Sequence, residues 1–369
     1  MLTHRFARGG FVVAYRVICW GTGNVGVHAL RSVISHPEFE LAGVIVHSES
    51  KHGRDAGELC AMPATGVLAT TDVDAALAEP ADAVCYTATG DLRPVEALED
   101  MCRVLRAGKH VVSTALPAFI YPPAAPSPEQ VQQLEQACRD GGVSCYINGI
   151  DPGFANDLLP LALLGACERV DTVRVMEILN YATYDQPQVL FETMGFGQPL
   201  DGTPILLLPG ILSMVWGPVV QQLAAGLGVA VEEIRELHEK ATLGHPVEAA
   251  GRTVEPGTQA GLRFEVQGVV GGEPRIVLEH VTRVTDEVAP QWAPQGEGGG
   301  KYRVEITGNP NMTCDLFIRG EDGDHNTGGL LVTAMRVLAA IPAMVDDNPR
   351  RLLSTLDLPL ITGRGAMRA

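Results

Sequence analysis

Three glycines, Gly21, Gly23 and Gly26, set the pattern G-x-G-x-x-G between the apolar run "RVICW" and "VHALRSVISHP", which has helical periodicity. Each spacing has a use in holding a diphosphate. The first glycine permits a tight turn, the second lets phosphates approach the backbone, and the third lets helix and strand pack closely. The helix N-terminus then aims its unpaired N–H groups at the negative charge. Gly21, Thr22, Gly23, Asn24, Val25 and Gly26 are therefore candidate cofactor-binding residues, and a dinucleotide is the expected ligand.

About twenty residues further on, where such folds place an acid for the adenosine ribose, the chain reads "HSESK". An acid there would accept from both ribose hydroxyls and repel a 2′-phosphate. His47, Ser48 and Lys51, with Arg54 beyond, offer donors and positive charge instead. This favours NADP. Glu49, whose carboxylate could turn inward, leaves NAD open, and a solvated polar loop without nucleotide preference is the bland alternative. Ligands of open α/β sheets lie outside the carboxyl ends of the strands. Thr87, Ala88 and Thr89 of "YTATG", and Thr114 and Ala115 of "STALPAF", are thus expected along the cofactor's path, with Leu116 nearer the substrate. In "NGIDPGF", Gly149, Pro152 and Gly153 read as a special turn. Asn148 and Asp151 could reach the nicotinamide amide or the substrate, with Phe154 in the pocket.

The elements that position these residues follow from periodicity. From Tyr15 to about Ile150, strand and helix signals alternate, which implies a parallel sheet with helices on both faces. Leu30, Val33 and Ile34 share one helical face, and Val95, Leu98, Cys102 and Leu105 another, with Asp91 as cap and Gly108 as stop. Ser127, Pro128, Gln130 and Gly141 bracket a further helix. After Asp151, two apolar helices, "FANDLLPLALLGA" and "PGILSMVWGPVVQQLAAGLG", accompany five strand-like runs, and Gly271-Gly272 suggests a hairpin. Short links suggest an antiparallel sheet. "VAPQWAPQGEGGG" is a Pro/Gly-rich loop long enough to be functional or mobile. The expected fold is α/β: a doubly wound Rossmann domain over 15–154 after an extension over 1–14, an α+β substrate and dimerisation domain over 155–320, and a C-terminal helix and tail over 321–369 packing back on the first domain.

The 369 residues suit two cores, since single cores stop growing at roughly 250 to 300 residues. A formal charge of −17 argues against nucleic acid or an anionic membrane as partner. No run of about eighteen apolar residues stands out as a membrane span. The eight cysteines show neither a C-x-x-C pair nor metal-ligand spacing. Buried thiols in a reducing cytoplasm, and no metal site, are the expectation. The start, "MLTHRFARGGFVVAY", reads as an extension rather than a signal peptide, because Arg16 interrupts the apolar run and no small-residue cleavage site follows.

The glycine motif, the HSESK loop, "STALPAFIYP", "GIDPGF", "ETMGFG" and the final "AAIPA", in this order from Tyr15 onward, resemble the dihydrodipicolinate reductase-like oxidoreductases. Within them the chain is similar to the native amine dehydrogenases related to 2,4-diaminopentanoate dehydrogenase. The resemblance implies a homodimer in which NAD(P)H reduces an imine formed from a carbonyl compound and ammonia, or the reverse oxidative deamination. Two departures matter. The His-His-x-x-Lys-x-Asp-x-Pro-Ser-Gly-Thr run of true dihydrodipicolinate reductases is missing. The glutamate that amine dehydrogenases carry before a Tyr-Pro pair is replaced: Tyr121-Pro122 is kept, but Ala115, Leu116 and Pro117 stand where the acid would be. The rival readings are a reductase of another small carbonyl compound and a non-catalytic NADP-binding protein.

Such a reaction asks the protein to protonate a departing water and to stabilise an iminium cation, tasks suited to a carboxylate in an apolar pocket. Glu177 is the first candidate, because it interrupts the apolar strand "VRVMEILNY"; the alternative is an outward-facing strand residue. Tyr181 and Tyr184 follow it and either bond the substrate or pack. With Glu177, Tyr184 and Asp151 as catalytic candidates, the pocket candidates are Leu116, Phe154, Tyr181, Glu192, Trp216 and His325. Blander readings are a helix cap or surface position for Glu192 and His325, and core packing for Trp216, Met214 and Phe191.

Overall fold

The computed structural model describes residues 14–90 and 93–367. "YRVICW" forms β1 (Tyr15–Trp20), in which Val17 and Cys19 face one core while Ile18 and Trp20 face another. A strand buried on both sides belongs to a sheet covered on both sides. There follow α1 (Asn24–Ser35), β2 (Phe39–Ile45), α2 (Ala56–Leu59), β3 (Ala69–Thr70), α3 (Val73–Ala78), β4 (Ala83–Tyr86), α4 (Pro94–Arg106), β5 (His110–Ser113), α5 (Pro128–Gly141) and β6 (Cys145–Ile147).

Local signals explain most of these bounds. Pro94 occupies the first turn of α4, where its missing N–H costs nothing; Asp91, expected as the cap, lies outside the described residues. Leu98, Cys102 and Leu105 are buried, but Val95 is 57% exposed, because the buried stripe runs through Ala97, Met101 and Val104 and turns away from it. Ser127 caps α5 by accepting from the Gln130 N–H at 3.4 Å. The stop is one residue later than expected: Gly141 is helical, and Gly142 takes the left-handed conformation with φ +69°. Gly141 has another use. A Cβ on it would run into the Leu105 carbonyl, so its bareness lets α5 close on α4.

The second unit comprises α6 (Leu158–Leu164), β7 (Arg169–Asn180), α7 (Ile211–Leu227), β8 (Glu233–Thr242), β9 (Val247–Ala249), β10 (Arg252–Val254), β11 (Gln259–Val270), β12 (Glu273–Arg283), β13 (Gly300–Asn309) and β14 (Met312–Leu316). Six strands form one sheet in the order β14-β13-β7-β12-β11-β8. Gly271 and Gly272, both at positive φ, turn β11 into β12 as a hairpin. The sheet is mixed rather than antiparallel, because β7 and β12 pair in parallel. Roughly a hundred residues of chain separate their partners, so no short link sets that direction. Edge strand β8, "EIRELHEKAT", gave no strand signal, and its charges suit an exposed edge. Helix α7 lies against β11 and β12, coming so near β11 that a Cβ on Gly268 would be 2.5 Å from Val220.

The Pro/Gly-rich loop after β12 is pinned rather than loose. Arg283, buried, donates to the carbonyls of Val288 at 2.8 Å, Ala293 at 2.9 Å and Ala289 at 3.2 Å, with its guanidinium over the Trp292 ring.

The chain ends in α8 (His325–Leu338), α9 (Ile341–Asp347) and β15 (Leu352–Leu353). Strand β15 pairs in parallel with β6, completing a seven-stranded parallel sheet in the order β15-β6-β5-β4-β1-β2-β3. Helices α3, α4 and α5 cover one face; α1, α8 and α9 cover the other, through Ala334, Val337, Leu338, Ile341 and Met344. The first unit thus holds the chain up to Gly149 together with everything from Leu330, and the second is Ile150–Gly329. The division falls before Asp151 and Phe154, a few residues earlier than the sequence boundary, and the C-terminal return starts later than 321. The stretch His325–Asp347 has the length and mean hydropathy, 1.8, to cross a membrane, although no such run stood out in the sequence; half of it is buried inside the protein, as in a core helix. All eight cysteines are free thiols and six are buried; burial pushes Cys85 and Cys138 up to about 12, which makes them inert near neutrality.

Candidate functional site

In the first unit the glycine motif sits where β1 turns into α1, and its three glycines differ in what requires them. Gly21 has φ +106°, and a Cβ there would be 2.8 Å from the Ala88 nitrogen. A Cβ on Gly26 would fall inside contact distance of the Gly21 carbonyl and 2.8 Å from Thr87 Oγ1. Both are demanded by the fold itself. Gly23 is the N-cap of α1, and a Cβ on it meets no atom within 4 Å. Among the described residues none needs its bareness, so the open space above it fits the approach of a diphosphate to the first N–H groups of α1, from Asn24 and Val25.

Beyond β2, His47, Ser48 and Glu49 are exposed, and Ser48 and Ser50 share a hydrogen bond of 2.7 Å. Lys51 reaches back to the glycine loop, donating to the carbonyl and the hydroxyl of Thr22, each at 2.9 Å. Two of the three ammonium donors are so used, and the charge is fixed beside the loop. Arg54 is not available in the same way, since it pairs with Glu58. Thr87 donates to the Trp20 and Gly21 carbonyls, bracing the turn, while Ala88 is half-buried and Thr89 exposed. After β5, Thr114 is half-buried, Ala115 and Leu116 are buried, and Leu116 is left-handed with φ +61°. The Asn148 carboxamide is engaged at both ends, accepting from Arg336 at 3.2 Å and donating to Thr355 at 3.3 Å. It belongs to a buried network rather than standing open for a nicotinamide.

In the second unit four strands bring side chains into one row. Glu177 on β7 is in register with His280 on β12 and Tyr302 on β13, and His280 in turn with Phe264 on β11. Partners in register point to the same face of a sheet. Asp151 joins them from the loop after the bridge at Ile150. Glu177 and His280 are each 4% exposed and the Asp151 side chain 3%. His280 Nδ1 lies 3.5 Å from Glu177 Oε1, and its Nε2 lies 3.3 Å from Asp151 Oδ2. Tyr181 donates to Glu177 at 2.8 Å, the Tyr302 hydroxyl is directed at the same carboxylate, and Trp216 of α7 donates its indole N–H to Asp151 at 2.8 Å. The imidazole stacks on Phe264 with centroids 4.5 Å apart and meets Trp216 at 4.8 Å.

This geometry sets the charges. Burial alone would push the imidazole towards its neutral form, but Asp151 and Glu177 outweigh it and raise His280 to about 10. Tyr181 and Tyr302 are pushed well above the ordinary phenol range, first by burial and then by Glu177, and stay protonated donors. Two carboxylates and one imidazolium leave one net negative charge among aromatic rings. The ligand atoms of Asp151, Glu177 and His280 lie within 4.8 Å of one another, as in a metal site. The ring, however, turns a different nitrogen to each carboxylate, so an ion on Nε2 beside Asp151 would have Glu177 behind the ring. The arrangement is carboxylate, imidazolium, carboxylate.

The other candidates divide. Tyr184 is half-buried with its ring 4.8 Å from that of Tyr181, next to the cluster. Phe154 is half-buried. Glu192 is exposed on the helical turn Gln188–Thr193, outside the buried row, because its neighbours Leu190 and Phe191 take the inward side. His325 opens α8 with Nε2 2.6 Å from the Asn180 carbonyl, a satisfied position. Met214 is 40% exposed and Phe191 packs under Arg252.

Residues 15–114 match the dihydrodipicolinate reductase N-terminal family, and residues 154–367 match the 2,4-diaminopentanoate dehydrogenase C-terminal domain. A curated amine dehydrogenase of Streptomyces virginiae is 44% identical over 348 residues, 93% of this chain and 96% of that one. The chain belongs to the amine dehydrogenase branch of the dihydrodipicolinate reductase-like oxidoreductases. The 2,4-diaminopentanoate dehydrogenase of Acetoanaerobium sticklandii is 25% identical over 64% of each chain. The fold of an amine dehydrogenase from Mycobacterium smegmatis superposes with a TM-score of 0.76 at 19% identity, covering 95% of this chain and 98% of that one.

Within this oxidoreductase, His280, Tyr302 and Phe264 are the members of the row that did not stand out in the sequence. The available signal was parity: His280 alternates with Ile276 and Leu278, both buried on the same side of β12.

Proposed function

We propose that this oxidoreductase is an NADP-preferring amine dehydrogenase, which forms amines from small ketones or aldehydes and ammonia and oxidises them in reverse. The observation that carries this reading is the buried Asp151–His280–Glu177 cluster, whose net negative charge among Phe264, Trp216, Tyr181 and Tyr302 suits an iminium or ammonium group. The kinship with an amine dehydrogenase at 44% identity supports it. The bound nicotinamide supplies or accepts the hydride. Gly21 to Gly26 and the first turn of α1 hold its diphosphate, with Thr87, Ala88, Thr89, Thr114 and Ala115 along its course. Asp151 and Glu177 balance the cationic nitrogen, Tyr181 and Tyr184 line the pocket, and Trp216 fixes Asp151.

Preference for NADP rests on the exposed His47 and Ser48, on Lys51 held beside the glycine loop, and on the lack of an acid at the end of β2. The same reading takes the protein to be a cytoplasmic homodimer, on the resemblance and on its free thiols. One observation favours a rival, a carbonyl reductase independent of ammonia: Ala115, Leu116 and Pro117 stand where relatives carry an acid. Oxidation of NADPH by a panel of simple ketones and aldehydes, with and without ammonia, decides between them. Consumption that requires ammonia and yields the amine is expected; a rate indifferent to ammonia would overturn the proposal.

A further inference from the structure

Three features set His280 apart from the carboxylates that flank it. It contacts both Asp151 and Glu177, facing one with each ring nitrogen. It is clamped between the Phe264 face and Trp216, which fixes the direction of Nε2. And although Asp151 Oδ2 is 3.3 Å away, Nε2 makes no aligned hydrogen bond among the described residues. Its proton is thus held to Asp151 by charge without an aligned hydrogen bond, which leaves it free to turn to another acceptor. The carboxylates are differently placed. Asp151 already accepts from Trp216, and Glu177 from Tyr181, with Tyr302 beside it, so both act as acceptors here.

We propose that His280 is the proton carrier of this site, with Nε2 as the atom that meets the substrate. In the reductive direction the carbinolamine formed from carbonyl compound and ammonia must lose water. Its C–O bond breaks as the nitrogen lone pair forms C=N; the hydroxyl takes the Nε2 proton and leaves as water, giving an iminium and a neutral imidazole that regains its proton from solvent. The iminium stays on the Asp151 side of the ring as the hydride acceptor. In the oxidative direction the substrate arrives as an alkylammonium, whose lone pair is tied up in an N–H bond. Neutral Nε2 removes that proton, the lone pair is freed, and hydride can leave the carbon. This assignment rests on the amine dehydrogenase reading and supplies the acid that "STALPAF" lacks.

The groups facing the ring are Asp151 from its loop, Glu177 from β7 with Tyr181 just beyond it, and Tyr302 from β13; α7 and β11 present uncharged Trp216 and Phe264. Held by these at about 10, the imidazolium matches an alkylammonium, so a proton passes between them with little driving force lost.

The test compares two substrates on full-length His280→Asn. A ketone with ammonia requires loss of water; a preformed cyclic imine such as 2-methyl-1-pyrroline does not. For the ketone, kcat/KM is expected to fall about 100-fold or more, and imine reduction at least about tenfold less than that. Equal loss on both substrates would make His280 a mere shaper of the pocket, and an undiminished ketone rate would remove it from the reaction; either overturns the proposal. Should the unsubstituted enzyme itself ignore ammonia, the underlying reading fails, and that is seen without any variant. If His280→Asn does not fold, the pH profile of amine oxidation decides. Its rising limb near 10 should move to lower pH in Asp151→Asn, which removes one of the charges holding the proton; an unmoved limb refutes the assignment.

Discussion

Gly23 and Gly26 stand three residues apart in one motif, and the structure predicts opposite consequences for replacing them with alanine. A Cβ on Gly26 lands inside contact distance of the Gly21 carbonyl and 2.8 Å from Thr87 Oγ1. The carbonyl is backbone and Thr87 is tied to Trp20 and Gly21, so neither yields cheaply. Overpacking of this kind costs about 1–3 kcal/mol. In a unit of this size that lowers the melting temperature by about 2–12 °C. Gly23 has φ −82° and ψ −163°, which alanine adopts freely, and its Cβ would meet nothing. Only the weaker cap is lost, at most about 1 kcal/mol. The methyl does, however, occupy the space through which a diphosphate must approach α1. Lengthening even one charge-assisted hydrogen bond there costs about 1.5–3 kcal/mol, or about 10- to 100-fold in affinity. Thermal melts of the cofactor-free variants, with titration of NADPH by its fluorescence, measure both quantities. Gly26→Ala should lose mainly stability and Gly23→Ala mainly affinity. If Gly23→Ala binds NADPH as the unsubstituted protein does, the diphosphate does not lie over α1 and the placement is wrong.

Ser48→Asp should shift the ratio of NADPH to NADH efficiency at least about tenfold towards NADH, since a carboxylate there repels a 2′-phosphate beside Lys51; steady-state kinetics with both cofactors would sink the assignment if the ratio did not move. Arg303 and Lys301 hold Asp315 down to about 2. Its carboxylate therefore contributes stability that is present above its unfolded value near 3.8 and is lost as the pH falls through about 2, an effect of about 1–2 kcal/mol. Acid unfolding of Asp315→Asn should accordingly show a shallower loss between pH 4 and 2 than the unsubstituted protein, and parallel curves would refute the pairing.

Legibility in the sequence followed the distance over which each feature is determined. The glycine motif is local: a strand, three glycines and a helix lie within some twenty residues, although Thr87 braces the turn from further along the chain. Helices α4 and α5 were legible for the same reason, with one-residue errors where tertiary contacts intervene, as when Gly141 proved to be a packing glycine and left the stop to Gly142. Glu177 stood out because an acid in an apolar strand demands an explanation. His280 did not, because nothing near Glu177 in the chain says that β12 will lie beside β7, or that the pairing will be parallel. Yet the register of that pairing decides the chemistry. Side chains alternate between faces, so a slip of one residue would replace His280 by Glu279 or Val281 opposite Glu177 and place the ring on the other side of the sheet. The hydrophobic pattern of β12 permits either outcome, since Ile276 and Leu278 mark one face while Val277 and Val281 mark the other. What resolves it is α7, whose Trp216 packs on Phe264 and His280 together and engages Asp151 through its indole N–H. The helix that packs on this register is thus also the one that orients Asp151, so the same contacts serve the fold and the site.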